Sequence, residues 1–118
     1  MRTVLIIDDS KTSRSVLRNI LEANKYQVIA EAENGEEGFE KYQELNPDFV
    51  TLDITMPIMD GIETLIKIKE YDPAAIVIMV TAAGQKNKML EAIKLGAAEF
   101  VTKPFETEQI ISILDGIQ

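Results

Sequence analysis

Among the 118 residues there is neither a cysteine nor a histidine. The first absence excludes disulfide staples, cysteine-ligated zinc, iron–sulfur clusters and thiol nucleophiles; the second removes the usual imidazole bases and metal ligands. Any chemistry must therefore use carboxylates, hydroxyls and amines. Positive charge is also scarce, with 12 lysines and arginines against 20 acids and a formal net charge of −8. Such a chain repels phosphate backbones, which argues against nucleic acid as a ligand. Long hydrophobic runs are missing too. The longest, Val4 to Ile7 and Ala74 to Val80, fall far short of a membrane span, and Met1-Arg2-Thr3 leads into a strand-like run without a signal-peptide pattern. A cytoplasmic protein without membrane association is expected. Finally, no linker rich in proline, glycine or serine, no low-complexity tract and no internal repeat divides the sequence. With 46% hydrophobic residues, residues 1–118 are read as one domain, able to bury roughly two thirds of its unfolded surface.

What is present is a rhythm of five short apolar runs separated by segments of helix length. The predicted strands are Thr3 to Ile7, Gln27 to Ala32, Asp48 to Leu52, Ile76 to Thr81 and Glu99 to Thr102. Three are nearly continuous apolar or β-branched runs, as expected for parallel strands covered on both faces. Between and after them, apolar residues recur at helical spacing: Val16, Leu17, Ile20 and Leu21; Ile62, Leu65 and Ile66; Met89, Leu90 and Ile93; Ile110, Ile113, Leu114 and Ile117. Gly35 to Leu45 is a weaker helix, with Phe39, Tyr42 and Leu45 on one side and glutamates around the rest. Asn34-Gly35, Asn46-Pro47, Asp60-Gly61, Asp72-Pro73, Gly84 and Gly96 supply turns or caps. The fold class that follows is α/β, a three-layer doubly wound (βα)5 sandwich on a five-stranded parallel sheet.

In such a sheet, ligands bind beyond the carboxyl ends of the strands at the switch in strand order. The residues there are Asp8 and Asp9 after the first strand, Asp53 after the third, Thr81 at the fourth and Lys103 after the fifth. Three carboxylates in one small pocket cannot all stay ionised without counter-charge. Lys103 supplies one, leaving a deficit of about two that a hard divalent cation would fill; with oxygen ligands alone, Mg²⁺ is the natural candidate and zinc is disfavoured. Each residue also has a plainer explanation. Asp8 or Asp9 could serve a helix N-terminus, although Ser10 or Thr12 could cap as well; Asp53 could form a turn; a threonine ending a strand or a lysine before proline is commonplace. Their joint placement on four strand ends carries the inference.

The motifs Ile7-Asp8-Asp9-Ser10, Leu52-Asp53-Ile54-Thr55-Met56-Pro57 with Asp60-Gly61, Thr81-Ala82-Ala83-Gly84, Gly96-Ala97 and Lys103-Pro104-Phe105, in this order, resemble the response-regulator receiver domains of two-component signalling. The likeness extends from Val4 to Leu114 and is greatest to stand-alone chemotaxis response regulators of the CheY type. It implies the flavodoxin-like strand order 2-1-3-4-5, and Asp53 as acceptor of a phosphoryl group from a phosphohistidine on a kinase. It also implies Mg²⁺ held by Asp9, Asp53 and the Thr55 backbone carbonyl, with Asp8 acting largely through water. Lys103 would pair with one phosphoryl oxygen and the Thr81 hydroxyl with another after moving inward. The Lys103-Pro104 peptide would be cis. Phe100 would be the aromatic switch partner of Thr81, in a position where many chemotaxis relatives carry tyrosine, or else ordinary strand packing.

The expected function is a phosphorylation-activated switch in chemotaxis, without an attached effector and without independent substrate turnover. Its output surface would be the fourth helix, fifth strand and fifth helix, where Lys86, Lys88 and Lys94 make a locally basic patch and Ile111 lies off the main stripe; a solvated charge run explains these as well. The flagellar motor switch is the candidate target, a phosphatase a further partner, and a monomer the expected state. A phosphorelay intermediate, a phosphate sink or a receiver fragment of a longer regulator are the alternatives. An aspartyl-phosphate phosphatase is disfavoured, because Thr55 stands where a second acid would be needed. Neither Thr55 nor Ala83 offers an amide or carboxylate to orient water, so slow intrinsic hydrolysis is expected.

Overall fold

Strands and helices alternate throughout the computed structural model, which describes residues 1–117. The elements are β1 (Arg2–Ile7), α1 (Lys11–Ala23), β2 (Tyr26–Ala32), α2 (Gly35–Leu45), β3 (Phe49–Asp53), α3 (Gly61–Tyr71), β4 (Val77–Thr81), α4 (Lys86–Lys94), β5 (Glu99–Thr102) and α5 (Thr107–Gly116). All four strand pairings are parallel and the order is β2-β1-β3-β4-β5, as expected. None of the described helices is long and apolar enough to cross a membrane.

Alternation along each strand divides the core between two faces. Val4 and Ile6 point with Phe49, Ile78 and Val101 toward α1 and α5, meeting Leu17, Leu21, Ile110 and Leu114. Leu5 and Ile7 point with Val50, Leu52 and Met79 to the other side, meeting Tyr42 of α2, Leu65 and Ile68 of α3 and Ala92 of α4. Every residue of β3 and β4 is buried, which explains their lack of polar alternation. A fully buried Leu or Ile contributes about 1.5 to 3 kcal/mol, so these two strands fix the centre of the molecule and the carboxyl ends that project from it.

Three helices start on side-chain caps that the turn signals anticipate. Ser10 accepts from the Ser13 amide at 3.2 Å, Asn34 from Glu37 at 2.9 Å and Asp60 from Glu63 at 2.9 Å, each cap stabilising by about 1 kcal/mol. The cap of α1 is Ser10, so neither Asp8 nor Asp9 is spent in that role.

Several expectations need correction. The third strand begins one residue later than predicted and includes Asp53, because Asp48 lies outside the ladder, accepting from the Thr3 amide at 2.8 Å and the Thr3 hydroxyl at 3.1 Å. On α4 the buried residue is Ala92, while Leu90 and Ile93 of the predicted stripe are exposed; a small alanine lets this nine-residue helix approach the sheet on a face that large residues would hold away. Val16, Ile66 and Leu45 are likewise exposed. On β2 the register with β1 passes from Val4↔Val28 to Leu5↔Ala30, leaving Ile29 as an extra residue in an edge strand.

Candidate functional site

β1 and β3 are neighbours, so their ends bring Asp8, Asp9 and Asp53 to one place. Each offers a carboxylate oxygen, and the three oxygens lie within 4.8 Å of one another; Asp8 and Asp53 are buried and Asp9 is exposed. Asp8 is fixed at several points. Its amide donates to the Ala32 carbonyl at 3.0 Å, its Oδ1 accepts from the Ser10 amide at 2.8 Å, and its carbonyl accepts from Arg14 Nη1 at 2.7 Å.

Lys103 enters from the far edge of the sheet. Its amide donates to the Thr81 carbonyl at 2.8 Å, and the peptide to Pro104 is cis, the isomer implied by the resemblance. Its ammonium lies 3.0 Å from Asp8 Oδ2 and 3.7 Å from Asp53 Oδ2. One cation does not balance the cluster. Burial and, after it, the Asp8 carboxylate push the pKa of Asp53 up against the opposing Lys103 ammonium, with Asp9 adding to the rise and the Ile54 amide subtracting from it, for a net value of about 6. An all-carboxylate cluster with unmet negative charge and no nitrogen or sulfur ligand is the donor set of a hard divalent cation, so these residues fit such an ion.

The Asp53 backbone is held by a close approach. Gly61, the first residue of α3, donates its amide to the Ile54 carbonyl at 2.7 Å. A Cβ there would lie 2.2 Å from the Asp53 carbonyl oxygen and 2.6 Å from Ile54 Cα. The Asp60-Gly61 pair, read in the sequence as a turn or cap, is a cap followed by the one residue type that lets α3 start against the acidic strand end.

Thr81 ends β4, next to the strand carrying Asp53, and is buried. Its hydroxyl lies 2.5 Å from Gln85 Oε1 and 3.1 Å from the Ala82 carbonyl. Gln85 Nε2 in turn donates to Thr55 Oγ1 at 2.8 Å. Phe100 sits in register with Met79 and, like Met89, is partly buried against the core that includes Met79; it is not part of the acidic cluster.

Two residues around the site had no role in the sequence reading. Gln85 gave no local signal, since its partners lie 4 and 30 residues away. Arg14 did give one: with Leu17 and Leu21 it forms a single helical face, and all three are buried. Its Nε also donates to Glu31 Oε1 at 2.9 Å, and Arg18 Nε reaches Glu31 Oε2 at 2.6 Å. Burial alone would raise the Glu31 pKa, but hydrogen bonds from Arg18 and Arg14 outweigh it and the net shift is downward. Glu31 is therefore the hub of a charged network.

Comparison with known proteins agrees with this arrangement. The response regulator receiver domain family matches residues 4–115. The chemotaxis protein CheY of Listeria monocytogenes is 47% identical over 115 residues, covering 98% of this chain and 97% of that protein. The CheY of Bacillus subtilis is 45% identical over 112 residues, covering 95% and 93%. Among solved structures, a chain of the CheX-CheY-BeF3-Mg complex of Borrelia burgdorferi superposes with a TM-score of 0.93 at 37% identity, covering 98% of this chain and 88% of that one.

Proposed function

The chain belongs to the response regulator receiver domain family, homologous over nearly its full length to CheY chemotaxis regulators, and from that premise we propose that Asp53 is its phosphoacceptor. The observation that carries the reading is a buried carboxylate at the end of a central strand, flanked by two further carboxylates and an ammonium. In the transfer, an Asp53 oxygen attacks the phosphorus of a phosphohistidine in line. The new P–O bond forms as the P–N bond breaks, giving an acyl phosphate and returning the electron pair to the imidazole of the kinase. A carboxylate needs no base for this, so the absence of histidine is no obstacle.

Mg²⁺ would be held by Asp9, Asp53 and the Thr55 carbonyl, with Asp8 acting mainly through water, and when bound it supplies positive charge to the phosphoryl oxygens. Lys103 pairs with a phosphoryl oxygen from the opposite side, and the Thr81 hydroxyl turns toward a third. Phosphorylation thereby adds charge and acceptors at one point and biases the loops that carry Thr81 and Lys103. Phe100 follows Thr81 as the packing partner, and the α4, β5 and α5 face presents the result to a downstream target. Exposed Leu90, Ile93 and Leu95 beside Lys86, Lys88 and Lys94 support that face as the contact. A histidine kinase supplies the phosphoryl group, a chemotaxis target such as the motor switch reads it, a phosphatase removes it, and the chain turns over no substrate of its own. The Borrelia relative, named as a complex with BeF3 and Mg, supports the same site chemistry here.

Incubation with Mg²⁺ and acetyl phosphate, followed by intact-mass measurement, tests the reading. Wild type is expected to gain one phosphoryl group and Asp53→Asn none. Equal labelling of the two, or no labelling of either, would overturn it.

A further inference from the structure

The Thr81 hydroxyl is already engaged in the phosphate-free protein, and its nearer acceptor is the side chain of Gln85, with the Ala82 carbonyl at 3.1 Å beyond it, rather than an acid of the site. Gln85 occupies the N-cap position of α4, yet its side chain makes no capping bond; only its backbone carbonyl serves the helix, accepting from the Met89 amide at 3.1 Å. Both ends of its amide face the site instead. The oxygen accepts from Thr81 and the nitrogen donates to Thr55, two residues beyond Asp53. One side chain therefore spans the β3–α3 and β4–α4 loops and joins them to the start of α4.

We propose that Gln85 is a positioning residue, a latch that holds the Thr81 hydroxyl in its resting orientation and must release it before Thr81 can reach a phosphoryl oxygen. The inference rests on the reading of Asp53 and Thr81 given above and adds to it the residue that sets the resting state. A hydroxyl has one proton to donate. Turning it toward the phosphoryl group breaks the bond to Gln85 Oε1 and leaves the amide held by Thr55 alone. The free energy of that bond opposes activation and is returned whenever the phosphoryl group leaves. Because Gln85 is also the N-cap residue of α4, its side-chain bonds tie the start of that helix to Thr81 and Thr55, and losing one of them loosens the tie without breaking the backbone bond to Met89. Thr55 acts through the same amide: its hydroxyl orients Nε2 and so aims Oε1 at Thr81.

The test measures binding of beryllofluoride with Mg²⁺ to wild type, Gln85→Ala, Gln85→Glu and Thr55→Val, together with the Thr81 side-chain rotamer from three-bond couplings in protein free of metal and phosphate. Removing one hydrogen bond present only in the resting state is expected to tighten beryllofluoride binding in Gln85→Ala by roughly 3- to 10-fold. Thr81 should pass from one rotamer to an average of several in the same variant. Thr55→Val leaves Gln85 Oε1 present but unaimed, so it should show an intermediate tightening, whereas Gln85→Glu gives Thr81 a stronger, charged acceptor and should weaken binding. In a Thr81→Ala background the Gln85→Ala change should have no effect on affinity. Unchanged affinity and an unchanged Thr81 rotamer in Gln85→Ala, with wild type binding normally, would overturn the latch alone. Failure of wild type to bind beryllofluoride would overturn the reading of the site and the latch with it.

Discussion

The Lys103 ammonium stands 3.0 Å from Asp8, nearer than to Asp53 at 3.7 Å. In this arrangement the lysine occupies part of the field that a divalent ion would use, and under the proposed mechanism it would lean toward Asp53 to meet a phosphoryl oxygen. Replacing it should separate the two tasks. Lys103→Met is expected to bind Mg²⁺ more tightly, by on the order of tenfold, since a like charge is removed from the pocket. Labelling by acetyl phosphate should slow by roughly 10²-fold, as for loss of one group aimed at developing charge. Calorimetric Mg²⁺ titration and mass-resolved labelling measure the two effects; weaker Mg²⁺ binding in the variant would contradict the competition.

Asp53 makes the metal-free protein sensitive to pH. Its carboxyl titrates near 3.8 in the unfolded chain and near 6 in the folded one, so between those values the folded state binds more protons. The Asp53 contribution to stability therefore rises as pH falls from above 6 toward 4. Asp53→Asn should stabilise the metal-free protein at pH 7 by on the order of 1 kcal/mol, and the gain should vanish as pH approaches 4. Urea unfolding of both proteins with chelator at several pH values gives the difference. A gain that does not change with pH would assign the effect to something other than the ionised carboxylate.

Arg14 joins the acidic loop to α1. Arg14→Met removes the donor to the Asp8 carbonyl and one of the two arginines on Glu31, and should cost about 2 to 4 kcal/mol. Arg14→Lys should recover only part of this, because one ammonium cannot reproduce the fork that serves a carbonyl and a carboxylate together. Full recovery in the lysine variant would show that charge alone matters there.

Two glycines should respond in different ways. Gly61→Ala places a Cβ 2.2 Å from the Asp53 carbonyl oxygen, and relief requires moving α3 or the strand end, at a cost of about 3 kcal/mol or more. Phosphorylation should fall with it, since Asp53 moves. Gly84 has φ +92° and open space around it, so Gly84→Ala should cost only about 1 to 2 kcal/mol of backbone strain. Thermal unfolding orders the two, and equal losses would refute the steric account of Gly61.

How much of this was legible beforehand depends on the range of the interaction that decides it. The alternation of β-branched runs with amphipathic segments is local, and so the five βα units and the caps at Ser10, Asn34 and Asp60 could be read from neighbours in sequence. The acidic cluster was legible because each aspartate ends or directly follows a strand, and parallel strands deliver their ends to one edge. Gln85 was not, since a bond from residue 85 to residue 55 leaves no periodic trace. Leu90 and Ile93 misled for a related reason: spacing defines a face, while the partner decides whether that face is used, and on α4 the sheet meets Ala92. Arg14 had the right spacing but the wrong polarity for a core residue, and only the carbonyl of Asp8 and the carboxylate of Glu31 account for its burial.

The skipped residue in β2 bears on how copies of this chain meet. An open parallel sheet has two unpaired edges, here β2 and β5, and a regular edge strand invites another chain to extend the sheet. At β2 the extra Ile29 interrupts the even spacing of backbone donors and acceptors, and β5 offers only four residues. Neither edge is a good template for strand addition. Contact between copies is thereby left to the helical faces.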